Sequence, residues 1–452
     1  MIKRKKYTPK IASYKEVWTN GGGVAKLSFF LMGVYQFKQK QWLKGLLLLL
    51  SELLILGWLA ITGFQAIMGL GTLGPIKKKD VVWDAAQGVY NTILPSNSIL
   101  YLLFGVFALV AVAVLVFLYI VHLRSMRNLY AKVRDGKHIP TTKEDLRSLL
   151  DERLYITLMT LPLLGVLIFT VAPLLFMITL AFTNYDSNHI IGFSWTGFSA
   201  FVQIFQGDYG QAFFPLLGWT VVWAVLATLT NFFGGVFLAI LIESKGVKFK
   251  GLWRTLFVTV FAIPQFVSLL LMNMLLDDHG PINTWLEHMG FINGPIEFLS
   301  DSLFAKFSVI GVNLWIGVPV TMLITTAIIQ NLPQDQIEAA RIDGANSFQI
   351  FKSITLPQIV YVLTPTLIQQ FIGNFNNFNV IYLLTGGGPN TDPSLANAQA
   401  GTTDLLITWL YKLTTQSTRN YAVASAIGII IFIVTASLSL MAYRKTNAFK
   451  EG

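Results

Sequence analysis

The chain has 452 residues, 54% of them hydrophobic and only 12% charged, with a mean hydropathy of +0.59, a balance that excludes an ordinary water-soluble globular protein. The net charge of +10 is spread over the ends of apolar runs, not interleaved with aromatic residues in one polar domain, so it reads as membrane orientation and no nucleic-acid partner is expected. The absence of cysteine removes disulfides, thiolate metal sites and a cysteine nucleophile.

Taken in chain order, residues 1–43 are basic and partly amphipathic ("KLSFFLMGVYQFKQKQW") and are expected to lie on the inner membrane surface. No secretory signal is expected, because the first strongly apolar run begins late, continues too long and has no small-residue cleavage pattern after it. A bilayer is crossed by about 20 residues of helix, and runs of that kind fall at 44–68 and 98–122, forming an N-terminal transmembrane hairpin over 44–122. The basic linker 123–153 contains "TTKEDLRSLLDERL", in which Thr141 and Glu144 have the spacing of a capping box at the start of a short amphipathic helix. Six more runs follow at 154–183, 213–243, 253–276, 307–330, 358–384 and 420–443, so 154–452 reads as a six-span unit. The expected fold is an all-α polytopic membrane protein with about eight transmembrane helices.

With the N-terminus inside, 27 of the 33 lysines and arginines fall on the cytoplasmic segments, which places both termini in the cytoplasm. Lys77, Lys78 and Lys79 fall on the outer side and are read as snorkelling to headgroups. Glu52 is the one clear charge inside a span, and it lies in the hairpin. A carrier driven by protons or sodium usually holds carboxylates near the midplane, so energy is expected to enter this chain from outside it.

The inner loop 331–357 contains "EAARIDGANSFQIFKSITLP". A short helix follows Pro333, Gly344 supplies the positive φ that ends it, Asn346 or Ser347 caps a second helix, and Pro357 restarts the chain into span seven. A helix, a corner and a helix make a rigid knob able to touch a partner; the plainer reading is a hairpin joining two spans. Span seven carries "GNFNNFNVIYLLTGGGPN", four asparagines within six residues, each costing roughly 2–7 kcal/mol if left unpaired away from water. At 100° per residue Asn374 and Asn377 share one face, and Asn376 and Asn379 another. One pair is expected to face a translocation route and the other to hold a neighbouring helix, the rival being that both pairs are packing contacts. Amides suit an uncharged polyhydroxyl ligand, hence a sugar. Span six offers "NLWIGVPV" and span five "FAIPQFVS", whose prolines loosen those helices.

The order Glu338, Ala339, Ala340, Asp343, Gly344, Ala345, followed by Ile354, Leu356 and Pro357, resembles the "EAA" loop of permease subunits in bacterial ATP-binding-cassette importers. With "TGGGPN" (385–390) and "TDLLITWLYKL" (403–413), the chain from about 150 onward is similar to the larger permease subunits of maltose and maltodextrin importers. The resemblance implies a type I importer fold in the last six spans and a loop that docks into a cytoplasmic ATPase. It also implies a second permease subunit making a heterodimer, two ATPase subunits, an extracellular sugar-binding protein and an oligosaccharide substrate, with membrane lipid around the whole. This chain then carries no cofactor, ATP and Mg being bound by the ATPase. By matching positions the sugar site falls on Phe261, Gln265, Asn313, Ile316, Gly317, Val320, Gly373, Asn374 and Asn377. Gly373 stands where an aromatic ring is expected, Phe261 and Val320 where tyrosines are, and Gln265 where a serine is. The loop at about 185–212 is short, so a binding protein would dock on smaller loops.

No Walker A, HExxH or GxSxG pattern appears, and neither a catalytic residue nor a metal site is expected. "GLGTLG" (69–74) follows a span and not a strand, and "DDHG" (277–280) reads as a solvated cap. The rivals are an importer permease for another oligosaccharide, a gradient-driven sugar carrier, a membrane-embedded enzyme and a scaffold.

Overall fold

A computed structural model describes residues 12–84, 88–244, 246–416 and 418–445. They form two compact units that divide between residues 196 and 197. The first contains α1 (Tyr14–Asn20), α2 (Gly22–Leu27), α3 (Val34–Lys38), α4 (Trp42–Leu70), β1 (Asp80–Asp84), β2 (Val89–Ile93), α5 (Ser98–Arg134), α6 (Thr142–Leu149) and α7 (Leu154–Leu180). The second contains α8 (Ser199–Gln203), α9 (Gly207–Glu243), α10 (Lys250–Ala262), α11 (Gln265–Leu275), α12 (Pro281–His288), α13 (Ser302–Gln330), α14 (Gln334–Ile342), α15 (Ser347–Ile350), α16 (Leu356–Phe375), α17 (Phe378–Thr385), α18 (Pro393–Ala396), α19 (Leu406–Thr415) and α20 (Tyr421–Lys445).

In the first unit α4 and α5 pack together, and the short N-terminal helices close over the end of α5, burying Val17, Ala25 and Tyr35 against Met126, Leu129 and Tyr130. Glu52 is buried there, and its Oε2 accepts the Met32 backbone N–H at 2.6 Å. The Thr141 capping box forms as the spacing predicts: Thr141 Oγ1 accepts from Glu144 N at 3.3 Å, and Glu144 Oε2 accepts from Thr141 N at 2.9 Å. Lys77 Nζ donates to the carbonyls of Thr72, Leu73 and Phe193, loop carbonyls beyond the ends of α4 and α7 that would otherwise lack donors. An antiparallel hairpin, β1 with β2 in the register Val82↔Asn91, was not foreseen in the loop beyond α4.

By length and apolarity six helices among the described residues can cross a membrane, or seven if one bent pair is counted as a span. The bent pair is the expected span 253–276, which is two helices, α10 and α11, set at 91°. Pro264 has no N–H to continue the helix and adopts φ −55°, ψ 128° at the break. The expected span 358–384 is also not one helix. α16 is less apolar than the six, and it stops at Phe375, with Asn376 and Asn377 forming a corner before α17. Pro357, by contrast, does not restart the chain. A π turn at Phe351–Thr355 joins α15 to α16, with Leu356 N–H bonded to the Phe351 carbonyl, so the carbonyl four residues before the proline is not forced against its ring.

The second unit is built around α9, which packs against α13 and α16. A buried cluster of Trp223, Ala227, Leu269, Val309, Val380 and Leu384 gathers α9, α11, α13 and α17. Where α9 crosses α13, Asn231 lies so close over Gly317 that a Cβ there would overlap its amide. At the far end, the segment after α17 is tied back to α9. The Trp219 indole donates to the Thr403 carbonyl at 3.1 Å, and Leu406 N–H donates to Thr220 Oγ1 at 3.0 Å. Its centre is a buried ion pair: Asp404 Oδ2 accepts from Lys412 Nζ at 2.5 Å and from Gly401 N at 2.7 Å, the carboxylate being seated against Gly387. Burial pushes the Asp404 carboxyl pKa up, against the pull of the Lys412 ammonium.

Two stability predictions follow from this packing. Gly317→Ala should destabilise the detergent-purified protein by about 1–3 kcal/mol, with Asn231→Ala restoring part of the loss; the readout is thermal unfolding, and no rescue would mean the crossing is looser than described. Asp404→Ala leaves Lys412 buried without its carboxylate and should cost about 3–5 kcal/mol. Adding Lys412→Met should recover most of it in the same measurement.

Candidate functional site: a helical knob and a polar seam

The knob is closed by hydrogen bonds that the sequence specifies. At the end of α14, Gly344 N–H bonds the Arg341 carbonyl at 3.0 Å and Ala345 N–H bonds the Ala340 carbonyl at 2.9 Å, with Gly344 at φ +84°; this is a Schellman closure. Asn346 then starts α15 with a capping box: its Oδ1 accepts from Gln349 N at 2.9 Å, and Gln349 Oε1 accepts from Asn346 N at 2.8 Å. Glu338, Ala339, Asp343 and Gly344 are exposed and Ala340 and Ala345 half-buried, while Ile342 and Phe348 stand 86% and 70% exposed. Behind this surface Phe351 and Leu356 pack on Phe232, Val236, Ile359 and Leu363. A push on the knob therefore acts on α9 and α16 through packed side chains.

The second feature is a polar seam where α9, α13 and α16 meet. Asn374 Nδ2 donates to Thr228 Oγ1 at 3.0 Å, the Trp223 indole donates to the Asn374 carbonyl at 2.9 Å, and Gln370 Nε2 donates to Thr321 Oγ1 at 3.2 Å. Asn231, Asn313, Thr321, Thr325 and Thr326 are all buried. Buried atoms without a protein partner remain: Asn231 Oδ1, Asn313 Nδ2, Thr325 Oγ1 and Gln370 Oε1 among them. Each costs about 1–3 kcal/mol if left dry. No formal charge belongs to the seam, which offers amides and hydroxyls only.

Asn313, Ile316, Gly317 and Val320 run along one face of α13, with Asn313 buried, Ile316 and Gly317 half-buried and Val320 exposed. Phe261 and Gln265 are both exposed and flank the 91° break at Pro264. Gly373 is exposed near the end of α16. The face pairing of the asparagines does not hold, because it assumes one unbroken helix. Asn374 is drawn against α9, Asn377 caps α17 by accepting from Val380 N at 3.2 Å, Asn376 Nδ2 bonds the Ile372 carbonyl at 3.2 Å, and Asn379 is exposed. Thr228, Asn231 and Gln370 were missed by the sequence reading; of the three only Asn231, a lone amide in the apolar middle of α9, carries a signal in the sequence. Asp277 and Asp278 accept from His279 N and Ser300 Oγ, and among the described residues no His, Asp and Glu gather as a metal set.

Residues 233–446 match the family model described as binding-protein-dependent transport system inner membrane component. The galactooligosaccharides transport system permease protein GanP of Bacillus subtilis is 35% identical over 435 residues, covering 95% of this chain and 98% of its own. The maltodextrin transport system permease protein MdxF of the same organism is 33% identical over 436 residues, covering 94% of this chain and 96% of its own. A crystal structure of a bacterial ABC transporter involved in import of the polysaccharide alginate superposes with a TM-score of 0.54 at 24% identity, over 66% of this chain and 96% of that one, and shows the shared fold. Knob, seam and these likenesses converge: the chain is a multi-pass cell-membrane protein that belongs to the binding-protein-dependent transport system inner membrane components, the permease subunits of ATP-binding-cassette sugar importers.

Proposed function

We propose that this permease carries maltodextrins inward, as one half of a heterodimer with a second permease, on two ATPase subunits that bind ATP and Mg, and receives its cargo from an extracellular sugar-binding protein. The observation that carries the sugar reading is the uncharged seam, whose unpartnered amide and hydroxyl atoms match a ligand made of hydroxyl groups. Phe261, Gln265, Val320 and Gly373, exposed in this chain, would complete the site with Asn313, Ile316, Gly317, Asn374 and Asn377 once the second permease covers them. Residues 154–452 are taken as the permease core and both termini as cytoplasmic, the basic loops supporting that orientation. ATPase closure shifts the transport equilibrium only by binding its two states unequally. The knob is the contact through which it does so: Glu338 and Asp343 offer charges, and Ile342 and Phe348 offer apolar surface. Galactooligosaccharides are the second reading, favoured by the 35% identity to a permease of that name.

ATP hydrolysis by the reconstituted complex with its binding protein decides the cargo. Maltodextrins should stimulate it several-fold. Stimulation by galactooligosaccharides alone would transfer the assignment to the second reading, and uncoupler-sensitive uptake without ATP would end both. Gly344→Val forces a β-branched residue to positive φ, a conformation costing roughly 1–2 kcal/mol even for an ordinary L-residue. It should lower sugar-stimulated hydrolysis at least tenfold and loosen ATPase co-purification, whereas Gly344→Asn keeps most of both.

A further inference from the structure

At the end of α13 from which the knob springs, one carboxylate joins three helices. Glu243 closes α9, and its side chain is only 12% exposed. Its Oε1 accepts from Gln330 Nε2, on the last residue of α13, at 3.2 Å and lies 3.8 Å from Arg254 Nε of α10. Lys250, the first residue of α10, stands 3.5 Å from Glu243 Oε2 and donates to the Glu243 carbonyl at 2.7 Å. Beside these groups Ile242 of α9, Met322 and Ile329 of α13 and Phe257 of α10 pack as a small apolar cluster. Farther along α10 the packing opens. A cavity of about 540 Å³ lies between α9, α10 and α13, lined by Phe237, Trp253, Leu256, Trp315 and Val318.

We propose that Glu243 is a positioning residue that makes α10 move with the knob, so that ATPase closure reaches the break at Pro264 as well as the seam. The inference rests on the reading of the knob as the ATPase contact and deepens it. Only Asn331, Leu332 and Pro333 separate Gln330 from α14, so a displaced knob carries the end of α13, and Gln330 carries Glu243. The carboxylate in turn holds both cations of α10 by charge-assisted contacts, which salt screens less at this exposure than on an open surface. α10 then acts as a rod. Its first turn is fastened, the cavity beside its middle leaves room to tilt, and its far end carries Phe261, roughly 18 Å away at 1.5 Å per residue. Phe261 and Gln265 flank the 91° break, so a tilt of α10 re-aims two residues of the proposed sugar site. Packing through Phe351 and Leu356 leads from the knob to α9 and α16; the Glu243 clasp adds a separate line to α10.

The test uses the assembled importer with cysteine-free partner subunits, this chain having no cysteine of its own. Spin labels at Leu252→Cys on α10 and Asp335→Cys on α14, both exposed positions, report the distance between the two helices with and without a non-hydrolysable ATP analogue. With Glu243 in place one narrow distance should persist in both conditions, and Glu243→Ala should shift or broaden it when nucleotide binds. The ratio of sugar-stimulated to basal ATP hydrolysis is the second readout, and Glu243→Ala should lower it about fivefold or more. Links in series do not add. Gln330→Ala, which removes the α13 arm, and Lys250→Ala with Arg254→Ala, which removes the α10 arm, should each cost as much as all three together. Lys248→Gln, exposed on the same loop, should change neither readout. Should Glu243→Ala fail to fold, Gln330→Ala, at an exposed position, must give the same result. A distance that changes with nucleotide while Glu243 is present, an unaltered distance in the variants, or losses that add between the two arms overturns the proposal. Absence of sugar stimulation in the wild-type importer would count against the cargo reading instead, and the distances would then decide the clasp.

Discussion

Polar groups inside an apolar bundle must find partners, and that constraint organises the second unit. α9 carries Thr228 and Asn231, α13 carries Asn313 and Thr321, and α16 carries Gln370 and Asn374. Pairing them needs close backbones, and Gly317 under Asn231 provides the approach. The same demand recurs at the ends of helices. The Trp223 indole takes up the Asn374 carbonyl and Lys77 the carbonyls beyond α4. In a low-dielectric medium each such bond matters more for what its absence would cost than for what it adds.

The knob is stiff for a different reason, the way its two short helices are joined. A Schellman closure followed at once by a capping box leaves no slack residue between α14 and α15, since Gly344 and Ala345 are each held by a backbone bond. Ile350 is buried, and the chain runs on as helix into α16. In the proposed coupling, an ATPase bearing on Ile342 and Phe348 would meet a stiff lever whose other end is the seam.

Local chemistry was legible in the sequence. The Thr141 and Asn346 caps, the turn at Gly344 and most apolar stretches are short-range facts, fixed by residues within a few positions of each other. What escaped were choices between equally local solutions. Pro264 and Pro357 look alike in sequence, yet one ends a helix and the other is passed by a π turn, because relief depends on neighbours distant in the chain. The asparagine faces were misread for the same reason: a corner at Asn376 and Asn377 voids any angle counted across it. Within the seam, Asn313 and Asn374 were named in advance, but Thr228, Asn231 and Gln370 gain significance only when three helices are brought together.

The turn at Phe351–Thr355 is one of three five-residue π segments among the described residues, with Leu59–Gly63 and Leu167–Val171, set within helices. Each accommodates one extra residue without a break in the rod, so everything beyond it is rotated by roughly 100° from where an unbroken spiral would carry it. Side chains that a helical wheel drawn from the knob would assign to lipid are thereby turned by more than a quarter of a revolution, and adding or deleting a single amino acid there would re-aim the whole of α16 while leaving its length almost untouched.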